Sequence, residues 1–199
     1  MLLQAEQSQL VLVDYQIRLM PAIFDGPAVV ANAVRLGQLA RLMGVPVWGT
    51  EQNSSKLGEN LPEVRALCAQ TLAKMHFSAV AEGLGEHLRP PQPTVQGNAR
   101  SLPRQLQKAP ASTPREAIVV AGCEAHVCLL QTALELLEDE FEVWVVTDAC
   151  SSRTERNRDA AFDRLAGAGA ELLTTEMVAF EWLRSAEHPQ FKAAQALIK

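Results

Sequence analysis

Gly122–Ala133 reads GCEAHVCLLQTA and sets two cysteines, a glutamate and a histidine directly behind the apolar run AIVVA. A strand that runs into such residues can simply end in a turn of small core side chains. It can also present one thiol to attack a carbonyl. Cys128 falls in the first turn of the helix predicted for HVCLLQTALELLEDE. The positive end of a helix dipole and unpaired backbone N–H groups lower a thiol's pKa there, favouring thiolate. The same N–H groups can hold the oxyanion that forms when sulfur adds to a carbonyl. The competing reading is a half-buried thiol packed against the sheet. For Cys68, Cys123 and Cys150 the core reading is favoured.

Two further residues carry charge where an apolar segment makes it costly. Asp14 closes the run QLVLVD, and a base that takes a thiol proton is one reason for a carboxylate in that position. A carboxylate that caps a nearby loop is the plainer reason. Lys74 lies between Leu72–Ala73 and MHF, so its stem is expected to be packed. A buried ammonium can steady both a thiolate and Asp14; a lysine that snorkels to the surface is the alternative. Asp148 reads as a strand-end acid that holds a loop. His76, His87, His126 and His188 are scattered, and no two stand at helical metal-ligand spacing, so no metal is expected. No GxGxxG or Walker sequence follows the first strand, so no nucleotide cofactor is expected either.

These residues need elements to bring them together. QLVLVD and PVWGT read as strands, and PAVVANAVRLGQLARLM between them as a helix stopped by Gly44. ALCAQTLAKMHFSAV reads either as a short strand leading to Lys74 or as one helix, and EGLGEHL as a helix tail. Residues 89–115, rich in Pro and polar side chains, read as a surface excursion that could carry one helical turn near Leu102–Gln107; a lid, an oligomer contact and an inert disordered loop are the readings open to it, the last being favoured. AIVVAG is a strand. The helix after it places Val127, Leu130, Leu134 and Leu137 on one face. EVWVVTDA and AELLTT are strands around the helix ERNRDAAFDRLAGAG, for which Ser152 and Glu155 make a capping box. Two short helical stretches follow. Strands alternating with helices imply a three-layer α/β/α sandwich with a mostly parallel, Rossmann-like sheet of about six strands. Ligands gather at the carboxyl ends of such strands, where Asp14, Thr50–Gln52, Gly122–Cys128 and Asp148 all fall.

The totals are consistent with that. A chain of 199 residues is most simply one domain, and 48% hydrophobic with 21% charged residues is the balance of a globular protein. A net charge of −5, with no dense Lys/Arg block, argues against a nucleic-acid or anionic membrane partner and leaves a small-molecule substrate. No apolar run reaches membrane-spanning length. The start, MLLQAEQSQLVLVD, lacks the features of a signal peptide. Four cysteines in a chain this size do not make a disulfide framework, so free thiols in a reducing cytoplasm are expected.

Together, LVLVDYQ with Asp14, AKMHFSAV with Lys74, VVAGCEAHVC with Cys128, and VVTDACSSR resemble the isochorismatase-like cysteine hydrolase family. Within it, WGTEQNSSKLGENLPEV and AEHPQFKAAQALIK are similar to the isochorismatase domain-containing group. The resemblance covers nearly the whole chain except 89–115. It implies an Asp–Lys–Cys triad at Asp14, Lys74 and Cys128, with backbone N–H groups of Glu124 and Cys128 as the oxyanion hole. It also implies a cis peptide between Cys123 and Glu124, and self-association into a homo-oligomer. Relatives that act as nicotinamidases bind metal through Asp-x-His after the second strand; this chain has TEQN there, Thr50–Asn53, without histidine. A metal-dependent nicotinamidase is therefore disfavoured, as is an isochorismate hydrolase. Gln52 and Phe77 are candidate substrate-pocket residues, with loop hydrogen bonding or core packing as the plainer reading. Arg18, Glu51 and Glu124 leave open whether the ligand is anionic or neutral. The expectation is a metal-independent cysteine hydrolase of a small amide or ester-like bond. The alternatives are a ligand-binding or thiol redox-sensing protein without turnover, and a scaffold with no selective thiol reactivity.

Overall fold

The central strands of this chain are apolar because both faces of their sheet are covered. Ser8–Val13 (β1) and Ala117–Gly122 (β4) are buried at every position, which leaves no face for the alternation of a half-exposed strand. A computed structural model describes residues 1–90 and 115–199. Beside β1 and β4 it has strands Val47–Gln52 (β2), Gln70–Lys74 (β3), Glu142–Val146 (β5) and Glu171–Leu173 (β6). The helices are Gly26–Leu42 (α1), Ser54–Leu57 (α2), Pro62–Arg65 (α3), Leu84–Leu88 (α4), Leu130–Glu138 (α5), Glu155–Gly167 (α6), Thr175–Leu183 (α7) and Phe191–Ile198 (α8).

The sheet has six strands in the order β3-β2-β1-β4-β5-β6, all paired in parallel. Helix α1 packs with α3, α7 and α8, while α5 packs with α6 and the turn at Val80–Glu82. The protein is thus an α/β fold with a parallel sheet and helices around it, as expected. The chain steps outward from β1 to β3 and then returns to place β4 on the other side of β1. That reversal opens a crevice above the carboxyl ends of β1 and β4. Gly122 lets the two strands close beneath it: a Cβ there would lie 2.3 Å from the Val13 carbonyl oxygen.

Of the two readings of the ambiguous middle, the short strand leading to Lys74 is the one found, Gln70–Lys74. Other local expectations are corrected. AELLTT is a strand only over Glu171–Leu173, because Thr174 turns away to cap α7, accepting from the Met177 N–H. The EVWVVTDA strand ends at Val146 in a short 3-10 turn, Thr147–Ala149. Helix α6 is capped by Thr154, which accepts from the Asn157 N–H, and not by Ser152. Ser152 is wholly buried and its hydroxyl lies 2.9 Å from Nδ1 of His126. The segment before α5, Ala125–Leu129, is a π turn, so Cys128 is not in the first turn of an ordinary α-helix. That extra residue rotates the buried face of α5 to Leu130, Thr132, Ala133 and Leu136; Val127, Leu134 and Leu137 are only half-buried. The expected helical turn near Leu102–Gln107 lies outside the described residues.

Candidate active site

The carboxyl end of β1 begins the site. Asp14 has the left-handed φ of 54°, a conformation aspartate tolerates better than most residues. Its side chain therefore turns back over the sheet ends. Oδ1 accepts from the hydroxyl of Thr50 on β2 at 2.7 Å. Oδ2 lies 2.8 Å from Nζ of Lys74, and both side chains are completely shielded from solvent.

Lys74 stands at the end of β3, with β2 between it and β1. Two strand spacings are roughly 10 Å, which only a long side chain crosses. The ammonium arrives with defined partners: Oε1 of Gln52 at 2.8 Å and the carbonyl of Phe77 at 2.9 Å, besides Asp14. The Gln52 and Phe77 oxygens accept from it, the His76 carbonyl lies farther off at 3.5 Å, and the Asp14 charge beside it offsets the cost of burying the ion. Asp14 Oδ2 touches the ammonium without receiving a well-aligned hydrogen bond from it. A lone pair of that oxygen therefore stays available to a proton.

Cys128 completes the group from the turn after β4. Its thiol lies within electrostatic reach of both Asp14 and Lys74. Burial is the largest influence on it, followed by the Asp14 charge; Lys74 opposes them, and the thiol is pushed up to about 12. This corrects the expected lowering by a helix terminus: desolvation and the adjacent carboxylate outweigh the dipole of a π turn. The resting sulfur is a neutral thiol beside a base. It keeps a small opening, with 6% of the residue exposed against none for Asp14.

The backbone around the thiol alternates in its bonding. The N–H groups of Cys123, Ala125, Val127 and Leu129 donate to Val13, Ser151 and Glu124 carbonyls, and that of His126 to the Ser152 hydroxyl. Among the described residues, the N–H group of Glu124 has no such partner. The peptide bond between Cys123 and Glu124 is cis. The Glu124 carboxylate faces away from this chemistry, accepting from the backbone and guanidinium of Arg153 at 2.9 and 3.0 Å.

The two residues singled out for a pocket differ from each other. Gln52 has both ends of its amide occupied inside the protein, by Lys74 and by the Met75 carbonyl at 2.8 Å. Phe77 is 51% exposed, and its carbonyl accepts from the Lys74 ammonium at 2.9 Å. At the end of β2 the carboxylate of Glu51 accepts from the Asn60 N–H at 2.8 Å. Among the described residues no three His, Cys, Asp or Glu side chains gather as a metal site would require. Asp148 accepts from the N–H and hydroxyl of Thr175, the loop-holding part expected of it. Sequence reasoning missed Thr50 as the partner of Asp14; its register opposite Val13 was the available signal.

A family model for the isochorismatase domain matches residues 8–177. The chain belongs to the isochorismatase family. Isochorismatase domain-containing protein 2 of Rattus norvegicus is 35% identical over 194 residues, covering 98% of this chain and 82% of that protein. The Homo sapiens protein of the same name is 37% identical over 192 residues, covering 96% and 83%. Among solved structures, the MAR1 ribonuclease of Caenorhabditis elegans superposes with a TM-score of 0.84 at 29% identity, covering 100% of this chain and 92% of that one. The YcaC gene product of Escherichia coli, described as an octameric hydrolase of unknown specificity, has a TM-score of 0.77 at 25% identity, covering 98% and 87%. Membership of the isochorismatase family makes this fold that of a hydrolase family, with the crevice above β1 and β4 as its candidate site.

Proposed function

We propose that this isochorismatase-family chain is a metal-independent cysteine hydrolase that cleaves a small amide or ester-like bond through a covalent intermediate on Cys128. The observation that carries it is the sealed Asp14–Lys74 pair acting on a neutral, slightly open thiol. Asp14 accepts the Cys128 proton as sulfur adds to the substrate carbonyl. The oxyanion is held by the N–H groups of Glu124 and Cys128, the first of which has no competing acceptor among the described residues. Collapse breaks the C–N or C–O bond, and the departing amine or alcohol takes the proton from Asp14. Water then gives a proton to Asp14 and adds to the thioester. Collapse of the second adduct releases the acid, and sulfur recovers the proton. Lys74 keeps its charge throughout, balancing first the carboxylate and then the sulfur anion.

The redox-sensing alternative is weakened by the same thiol. Oxidation sensors work as exposed, low-pKa thiolates, whereas burial pushes Cys128 up to about 12. For metal independence, the support is that Gln52 is engaged with Lys74 and that Thr50–Asn53 contains no histidine. A net charge of −5 supports a small molecule over RNA as substrate, despite the relative described as a ribonuclease. No helix among the described residues is long and apolar enough to cross a membrane, and we place the activity in the cytoplasm. We also propose self-association, in line with the octameric relative; a monomer on sizing chromatography would refute it.

The test is a panel of small amides and esters offered to wild type and to Cys128→Ser. A substrate turned over by wild type should lose roughly 10³-fold or more in kcat/KM with the serine protein. Equal turnover by both proteins would sink the reading.

A further inference from the structure

The Lys74 ammonium is held in part by a loop whose far end is tied to α5, where the Ser78 hydroxyl donates to Glu135 and the Ala79 N–H to the Thr132 hydroxyl at 3.0 Å, and whose near end needs its own anchor. One acceptor is the Phe77 carbonyl, on the segment that leaves β3. The large side chains on this segment do not anchor it: Met75 is 66% and Phe77 51% exposed. Its backbone is instead gathered by one carboxylate. Oε1 of Glu82 accepts from the N–H of Met75 at 2.9 Å, the N–H of His76 at 3.1 Å and Nδ1 of His76 at 2.9 Å. On the other side, Nε2 of Gln52 donates to the Met75 carbonyl while Oε1 of Gln52 receives the ammonium itself.

We propose that Glu82 is a positioning residue for the site: it clamps the loop at Met75–Phe77 and so sets where Lys74 stands between Asp14 and Cys128. This rests on the role given above to Lys74 beside the thiol. Glu82 touches none of the reacting groups and acts through the Phe77 carbonyl. With the clamp released, that carbonyl swings away from Nζ, and the ammonium loses one of the acceptors that hold it in the crevice. The cation then stabilises the Cys128 thiolate less. The donors around Glu82, the Met75 N–H first, hold its carboxyl down at about 2, so the clamp keeps its charge at any pH at which the protein would be assayed.

The readout is the rate at which iodoacetamide alkylates Cys128, followed by mass spectrometry from pH 7 to 10 on the full chain, with thermal melting as a check on folding. Lys74→Ala should slow alkylation about tenfold, since one unit of thiol pKa is a factor of ten in thiolate. Glu82→Ala should move the profile the same way by about threefold to tenfold. Glu82→Gln, which keeps an acceptor oxygen, should recover most of the rate, and added acetate should partly rescue Glu82→Ala. Should Glu82→Ala fail to fold, His76→Phe removes one donor at an exposed ring and should slow alkylation about twofold. Wild-type rates in the folded Glu82 and His76 variants, with Lys74→Ala slowed, would overturn the role of Glu82 alone. A wild-type rate in Lys74→Ala would overturn the hydrolase reading and the clamp with it.

Discussion

The ammonium of Lys74 stands 2.8 Å from Oδ2 of Asp14, and neither side chain reaches solvent. Each ion therefore justifies the other, and losing one strands its partner in a low-dielectric crevice. Lys74→Ala should destabilise the fold by about 3–5 kcal/mol, the range for breaking a buried pair. Asp14→Asn combined with Lys74→Met removes both charges and should recover part of that loss. Urea unfolding of the two proteins and wild type decides it; equal losses in the single and double variants would contradict a coupled pair.

Reactivity of the thiol should be uphill in pH. With Cys128 pushed up to about 12 by burial and Asp14, its alkylation by iodoacetamide should rise about tenfold per pH unit from 7 to 10, without a plateau. Mass spectrometry of the Cys128 peptide measures this. A plateau at neutral pH would show a sulfur already ionised.

Gly122 is expected to tolerate no side chain. A Cβ would meet the Val13 carbonyl oxygen at 2.3 Å and the Val13 Cβ at 2.5 Å, both in the sheet centre. Gly122→Ala should destabilise by roughly 3 kcal/mol or more, a core overpacking cost, and should lower activity by moving β4 and its turn. Denaturant midpoints beside activity measure both effects.

Alkaline pH should unfold this protein by titrating its thiols and one phenol. Burial pushes Cys123 up to about 12 and raises Cys150 and Tyr15 well above their usual ranges. Above roughly pH 9 unfolded thiols ionise while the folded ones keep their protons. The native state then binds more protons, so stability is full below that pH and is lost as it rises. Each such group steepens the decline by up to about 1.4 kcal/mol per pH unit. Cys123→Ala should flatten the slope between pH 9 and 11, as measured by denaturant midpoints, even though it lowers stability at neutral pH.

Much of the fold was readable because the central strands are continuous apolar runs that end on a charge or a turn, as QLVLVD and AIVVAG do. Strand β3 was readable only as one of two alternatives, because it is the sheet edge: its positions run from exposed to buried without either strand pattern. The cap of α6 was misread because Ser152 satisfies the motif spacing, yet tertiary packing draws its hydroxyl to His126. Asp14 and Lys74 stood out as charges in apolar segments, and the structure pairs them at 2.8 Å; Cys128 was singled out by its place behind AIVVA and by the family resemblance. The state of the thiol was not legible, because a dipole argument knows the position in a helix but not the depth of burial. Nor was Glu82 visible, since its three donors come from loop geometry that no periodicity encodes.

The returning path of the sheet also orders events during synthesis. Asp14 and Lys74 leave the ribosome well before Cys128, whose strand must slot in beside β1. A nascent chain thus holds Asp14 and Lys74 without Cys128, and the proposed activity would appear only with closure of the central, non-local pairing, the slow kind of step in parallel sheets. Turnover in a refolding experiment would accordingly report completion of the β1–β4 seam and lag behind the gain of helix.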